Sequence, residues 1–180
     1  IAYFKKSINI YDLKLIDVEK LTFDSEPVTF SQNASKKSLA FIESNQGRLS
    51  STYRVYDKDE IIYEISSQDE VFMETGFFND NLHFALTNRY LYLFDNSKLI
   101  NKVMVFSPRA ISFENQEIAL VDDRQLRIFD SNLTELSQIN LSFYADNIAT
   151  RANSMVLIGE GKLSVYENSN VMESDIKNAK

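Results

Sequence analysis

Few residues in this 180-residue chain could do chemistry. It contains one histidine, His83, and no cysteine, which excludes a multi-histidine metal site, a thiolate zinc site and a cysteine nucleophile. A Ser-His-Asp arrangement needs only one histidine, but no nucleophile motif marks a partner serine. His83 occupies an alternating position in the segment LHFALT. A histidine in that setting is more often packed or exposed on a strand than functional.

The acidic pair Asp122-Asp123 lies in a predicted turn and does not have the spacing of a catalytic or metal-binding motif. Asp122 and Asp123 stand at the tip of a predicted hairpin, where aspartate is favoured for turn geometry. A calcium site would need more oxygen ligands at defined spacing, and neither an EF-hand nor a glycine-rich phosphate loop occurs. We therefore expect no cofactor and no metal, and we predict that the chain is not an enzyme.

The overall charge restricts the classes of partner. A net charge of −7 disfavours direct nucleic-acid binding, because phosphate neutralisation needs clustered lysine and arginine. The pairs Lys5-Lys6 and Lys36-Lys37 are the nearest to such a cluster. No run approaches the roughly 20 apolar residues of a membrane helix, so membrane insertion is not expected. The absence of cysteine favours a reducing compartment, and we expect an intracellular protein, cytoplasmic or nuclear.

The elements around these residues repeat. An aromatic residue followed by an acidic residue ends an alternating apolar–polar stretch five times, at intervals of about 35–45 residues. The aromatic anchors are Tyr11, Tyr56, Phe94, Phe129 and Tyr166, and the acids are Asp12, Asp57, Asp95, Asp130 and Glu167. Period-two alternation predicts a strand with one face against a core.

Each repeat contains more than its anchor strand. An apolar strand and a short polar turn precede the anchor strand, and a further strand and a link to the next strand follow it. No stretch has the sustained 3.6-residue periodicity of helical repeats. The chain is therefore predicted to be all-β, a β-propeller of four-stranded antiparallel blades.

The anchors also carry a family resemblance. Phe94-Asp95 and Phe129-Asp130 hold the place usually written Trp-Asp, and the repeat resembles the WD-repeat-like class of β-propellers in a degenerate form. The resemblance implies that the recurring aromatic residues form a core between blades rather than a cofactor site.

Counting strands predicts an incomplete ring. The first repeat has its second to fourth strands, and the last has its first to third. Residues 1–170 would therefore form three full and two partial blades, and residues 171–180 a polar tail. We expect this segment to be part of a larger ring, since open sheet edges invite pairing.

Two length anomalies are candidate contact surfaces. The hairpin Glu43–Ser51 is longer than its counterparts and carries Arg48 and Leu49; the link at 66–76 sets Val71, Phe72 and Met73 among acidic residues. Insertions in repeat proteins commonly map to a binding face, and aromatic residues and methionine are enriched in interface cores. The alternative is that the three apolar link residues pack over the adjacent blade.

Two functions remain open. The first is a noncatalytic protein–protein interaction scaffold that docks within a larger multi-subunit assembly. The alternative is an enzyme or ligand-binding propeller whose central-channel site is completed by residues outside this chain. The inner strands offer such a channel the hydroxyls of Thr29 and Ser112 but no charge, which favours the scaffold. An extracytoplasmic receptor domain is a third possibility.

Overall fold

The chain folds into β-strands connected by short turns. The structure is a computed structural model, and it describes residues 2–4, 6–11, 17–45, 47–152, 154–167 and 170–176. Within those residues there are nineteen strands and no helix, which confirms the all-β prediction. Accordingly, no helix in this part of the chain is long and apolar enough to cross a membrane.

Strands that follow one another in sequence are neighbours in five separate sheets. The first sheet has three strands and the other four have four each. In chain order the sheets consist of β1 (Ala2–Phe4), β2 (Ser7–Tyr11) and β3 (Asp17–Thr22); β4 (Pro27–Asn33), β5 (Lys36–Asn45), β6 (Arg48–Asp57) and β7 (Glu60–Ser67); β8 (Phe72–Phe77), β9 (Leu82–Thr87), β10 (Tyr90–Asp95) and β11 (Lys98–Met104); β12 (Pro108–Glu114), β13 (Glu117–Asp122), β14 (Gln125–Asp130) and β15 (Glu135–Asn140); β16 (Asn147–Arg151), β17 (Ser154–Gly159), β18 (Lys162–Glu167) and β19 (Asn170–Asp175).

Burial follows the position of a strand within its sheet. In the four-stranded sheets the second and third strands carry most of the core: β9, β10 and β13 are almost wholly buried. The fourth strands β7, β11 and β15 are mostly exposed. Residues 119–121 of β13 are apolar and all buried. Since successive residues of a strand point to opposite faces of the sheet, both faces of this strand are covered by other parts of the protein.

Recurring β-bulges indicate a shared geometry in the repeats before the last sheet, whose pairs β16–β17 and β18–β19 have a regular register. The register shifts directly before Tyr11, Tyr56 and Phe129, where the third strand of a repeat pairs with the fourth. Phe94 and Tyr166 occupy the same places on β10 and β18 and are buried. A second bulge recurs near the start of three first strands, at Val28, Met73 and Arg109. Bulges conserved among repeats indicate a common local geometry.

The predicted ends differ from the structure at the last repeat. The prediction of a polar tail from residue 171 is wrong for residues 171–175, because they belong to β19 and pair with β18. The described residues thus form four four-stranded sheets and one three-stranded sheet, not three full and two partial blades. The strand escaped notice because Met172–Asp175 is exposed and carries no apolar alternation. Asp12 and residues 177–180 lie outside the described residues.

The backbone divides into two compact units. The first comprises residues 1–87 and 94–98, and the second comprises residues 88–93 and 99–180. The first unit contains the sheet β4–β7, and the second contains the sheets β12–β15 and β16–β19. Each candidate site below lies within one of these units.

Candidate interaction surface

The long hairpin of the second sheet extends beyond its neighbours. β5 and β6 remain paired from Lys36·Asp57 to Asn45·Arg48. Their outer neighbours stop earlier: β4 reaches β5 only at Phe41, and β7 reaches β6 only at Ser51. Within residues 42–51, called the hairpin extension below, residues 42–45 of β5 and 48–50 of β6 therefore remain paired where the rest of the sheet has ended. The predicted extra length of this hairpin is confirmed.

The hairpin extension has one apolar and one polar face. Cross-strand partners share a face, and so do residues two apart along a strand. Ile42 and Leu49 thus lie on the same face as Ser51, with exposed fractions of 45% and 68%. Glu43, Arg48 and Ser50 lie on the opposite face. Because Leu49 is exposed to this degree on a paired hairpin, it is a candidate contact residue.

Charged residues cross-link the polar face of the sheet. The Arg54 guanidinium contacts a Glu43 carboxylate oxygen at 3.0 Å and a Glu64 oxygen at 2.5 Å. The Thr52 hydroxyl donates to the second Glu43 oxygen at 2.9 Å. These three strands are therefore tied together at the base of the hairpin extension. A groove of about 840 Å³ runs along this face between Arg48 and Gln68.

The link to the next sheet is shorter than predicted. β7 continues to Ser67 and β8 begins at Phe72, so only Gln68–Val71 connect them. The Ser67 hydroxyl oxygen accepts hydrogen bonds from the backbone N–H groups of Asp69 at 3.2 Å and Glu70 at 3.1 Å. This serine turn replaces the long loop that the sequence suggested, because Ser66 and Ser67 still belong to β7 and β8 already begins at Phe72.

The hairpin extension and the link meet at Ser51. The Phe72 backbone N–H donates to the Ser51 hydroxyl oxygen at 2.9 Å, and that hydroxyl donates in turn to the Phe41 carbonyl at 3.3 Å. Two segments that the sequence offered as separate candidates are thus neighbours. The surface formed by residues 42–51 and 68–71 is called the hairpin surface below.

Phe72 does not belong to the exposed part of this surface. Its side chain is only 1% exposed, and its ring centroid lies 5.7 Å from that of Tyr53. The hypothesis that Phe72 contacts a partner is therefore wrong, and the alternative of packing against the adjacent sheet is correct for this residue. Val71 and Met73 are exposed at 42% and 36%, and Met73 lies at the β8 bulge.

The single histidine is a buried structural group. His83 Nε2 lies 2.7 Å from the Asn96 carbonyl oxygen, so this nitrogen carries the proton and donates. Nδ1 then accepts from the Tyr53 hydroxyl at 2.7 Å. Burial lowers the pKa of His83 to about 4 and raises that of Tyr53 well above its usual value. Both ring nitrogens of the neutral imidazole are occupied, and the ring stacks on Phe94.

The two inner-strand hydroxyls join neighbouring first strands. The Thr29 hydroxyl of β4 donates to a Glu74 carboxylate oxygen of β8 at 2.5 Å. The Ser112 hydroxyl of β12 lies 2.8 Å from the Thr150 hydroxyl of β16 and accepts the Thr150 backbone N–H at 3.2 Å. Their partners come from the sheet that follows, so they act as cross-links between sheets.

Sequence reasoning missed one exposed aromatic residue in the second unit. Phe106, in the link between β11 and β12, has 78% of its side chain exposed. Buried Asp122 positions this link by accepting the backbone N–H groups of Phe106 at 2.9 Å and Ser107 at 2.7 Å. Arg127 contacts the other Asp122 oxygen at 3.2 Å. The available signal was an aromatic residue placed directly before Ser-Pro, outside any alternating stretch.

The arrangement of Asp122 also accounts for the acidic pair. Its carboxylate is used by the link and Arg127, whereas Asp123 occupies the turn with a positive φ of 58°. No group of three or more metal-ligating side chains occurs in the described part of the chain.

Comparison with known proteins supports the fold. No family model matches the chain, and no curated protein does. The Pan2 WD40 domain of Neurospora crassa superposes with a TM-score of 0.68 at 12% identity, over 94% of this chain and 59% of that one. BamB of Moraxella catarrhalis gives 0.68 at 7% identity, over 97% and 60%. BBS1N, solved in complex with ARL6DN, gives 0.65 at 11% identity, over 88% and 54%.

These similarities show that the chain has a β-propeller fold. The predicted β-propeller fold is confirmed. The chain spans about 59% of the length of the Pan2 WD40 domain and 60% of that of BamB.

Proposed function

We propose that this chain is a noncatalytic protein–protein interaction scaffold, a propeller segment that docks within a larger multi-subunit assembly through the hairpin surface. The observation that carries the proposal is the hairpin extension itself. This paired, cross-linked hairpin exposes Leu49 and Ile42 to solvent. Exposing these apolar side chains adds nothing to the stability of the fold, so a role in binding explains them. Contiguous exposed apolar side chains mark protein–protein interaction sites, and Ile42 and Leu49 share one face of the hairpin extension.

The charge and the neighbours support a protein partner. A net charge of −7 favours basic or neutral partners. Among the similar propellers, BBS1N was solved in complex with another protein. Because the chain spans 59% of the Pan2 WD40 domain and 60% of BamB, we infer that the proposed assembly includes strands that complete a larger ring.

The noncatalytic part of the proposal rests on how the reactive groups are used. The His83 nitrogens and the Asp122 carboxylate are engaged in hydrogen bonds that position backbone segments. Thr29 and Ser112, the hydroxyls that a channel site would use, join adjacent sheets instead. Groups held in this way support the scaffold over a channel enzyme.

The test compares two exposed leucines. Leu49→Asp places a charge on the hairpin surface, and Leu136→Asp does the same at a 54%-exposed leucine of β15. Each tagged variant is expressed in its native cells, and co-purified proteins are quantified by mass spectrometry. We expect Leu49→Asp to remove a discrete set of proteins that Leu136→Asp retains. Equal recovery with both variants and the unmodified chain would contradict the proposal.

A further inference from the structure

We propose that the outer edge of the hairpin extension, the backbone of Arg48–Ser50, accepts an extended basic and apolar segment of a partner protein as an added β-strand. This inference rests on the proposed function and specifies the kind of partner and its mode of binding. Strand addition joins an extended peptide to an unpaired sheet edge through main-chain hydrogen bonds.

The edge is open because β7 ends early. Pairing between β6 and β7 begins at Ser51·Ser67, where the chain turns into the link. Among the described residues, no strand pairs with Arg48–Ser50 on the side away from β5. Three residues of β6 therefore retain a strand conformation, held by β5, with a free outer edge.

The register identifies the backbone groups that face this edge. Two residues separate the pair Asn45·Arg48, and a two-residue loop closes on a hydrogen-bonded pair. Pair types alternate in an antiparallel ladder, so Ser44·Leu49 is not hydrogen-bonded across the hairpin. The Leu49 N–H and C=O consequently point away from β5, in the same direction as those of Ser51, which pairs with β7.

The apolar and polar faces of the hairpin extension determine which side chains an added strand would need at each position. Its residue opposite Leu49 lies on the apolar face, where Leu49 is 68% exposed. Its residues on either side face the groove of about 840 Å³ that Ser50, Glu64 and Ser66 line. Apolar residues at alternate positions, separated by residues that reach the groove, fit this edge.

The charge around the groove favours basic residues at the groove positions. The groove and the link carry four carboxylates and two guanidinium groups. These are Glu43, Glu64, Asp69 and Glu70, and Arg48 and Arg54. Arg54 is already paired with both glutamates of the groove. The excess negative charge therefore complements lysine or arginine on the incoming strand.

The experiment uses a synthetic peptide of alternating valine and lysine, about eight residues long to match an ordinary strand. Binding to the chain is measured by fluorescence anisotropy. We expect saturable binding with a dissociation constant below about 1 mM. A peptide of alternating valine and glutamate should bind at least tenfold more weakly. Absence of binding by the lysine peptide would overturn the proposal.

Two proline variants on one rung of the hairpin test the edge. Leu49→Pro removes the N–H that faces the outer edge, and Ser44→Pro removes one that faces the opposite edge. Proline is tolerated at edge positions whose N–H is not part of the ladder. We expect Leu49→Pro to weaken peptide binding at least tenfold and Ser44→Pro to change it less than about twofold.

Two further controls separate backbone from side chain. Leu49→Ala keeps the N–H and should weaken binding less than Leu49→Pro does. A peptide N-methylated at its valines, the residues placed opposite Leu49, cannot donate main-chain hydrogen bonds to this edge, and we expect it to lose binding to the unmodified chain, whatever the stability of the variants. Equal binding of the methylated peptide would overturn strand addition, as would equal losses with Leu49→Ala and Leu49→Pro.

Failure of this inference is distinguishable from failure of the proposed function. If Leu49→Asp removes partners from cells while the proline and N-methyl controls have no effect, the hairpin surface binds by its faces and strand addition is wrong. If light scattering shows a dimer that Leu49→Pro dissociates, a second copy of the chain occupies the edge and the proposed partner class is wrong.

Discussion

At the scale of single residues, burial separates side chains that the sequence presents as alike. Phe72 and Phe106 both stand beside links between sheets and both have apolar neighbours. Phe72 packs on Tyr53 with 1% of its side chain exposed, whereas Phe106 is 78% exposed. The difference arises because Phe72 starts a first strand facing the preceding sheet, while Phe106 lies before its strand begins.

This difference predicts unequal costs of truncation. Phe72→Ala should lower the free energy of unfolding by roughly 3–5 kcal/mol, since it removes a fully buried ring. Phe106→Ala should change it by less than about 0.5 kcal/mol, because an exposed side chain loses little packing. Urea unfolding followed by circular dichroism measures both. Similar losses of unfolding free energy in the two variants would contradict the different burial of Phe72 and Phe106.

At the scale of elements, a carboxylate at the end of a second strand positions the link that arrives from the preceding sheet. Asp122 ends β13 and holds the link before β12. Glu160, in the turn after β17, accepts the backbone N–H of Tyr144 in the link before β16 at 3.0 Å. Hairpin tips and links are thus joined at the same end of these sheets.

Asp122→Asn tests this role. The amide retains an acceptor oxygen but loses the ion pair with Arg127, so we expect the free energy of unfolding to fall by about 1–3 kcal/mol. The amide hydrogen of Ser107 should also exchange faster. The neighbouring Asp123→Asn is the matched control, because asparagine tolerates the positive φ of that turn. A loss of stability with Asp123→Asn as large as with Asp122→Asn would refute the assignment.

At the scale of the whole molecule, stability is coupled to pH through His83. Burial holds the pKa of His83 at about 4, against an ordinary value of 6.5. The unfolded chain therefore binds more protons between these two values, and stability rises with pH across this window. The stability that depends on a neutral His83 is fully present above pH 6.5, and it is lost as the pH falls towards 4.

We expect acidification across that window to lower the free energy of unfolding by up to about 3 kcal/mol. His83→Gln removes the titrating group and should flatten the dependence of stability on pH between about 4 and 6.5. Urea unfolding at several pH values measures the slope. Identical slopes for the unmodified chain and His83→Gln would show that His83 is not the group responsible.

The sequence alone was sufficient to predict the repeat, the long hairpin and the strands other than β19. Alternation around Phe94 and Phe129 and the extra residues before Tyr56 are local signals, and strand pairing between chain neighbours preserves them. The tertiary structure alone decided three things: the burial of Phe72, the strand β19, and the meeting of hairpin and link at Ser51. Each depends on which sheet lies beside a segment, and a residue's own neighbours in sequence carry no information about that.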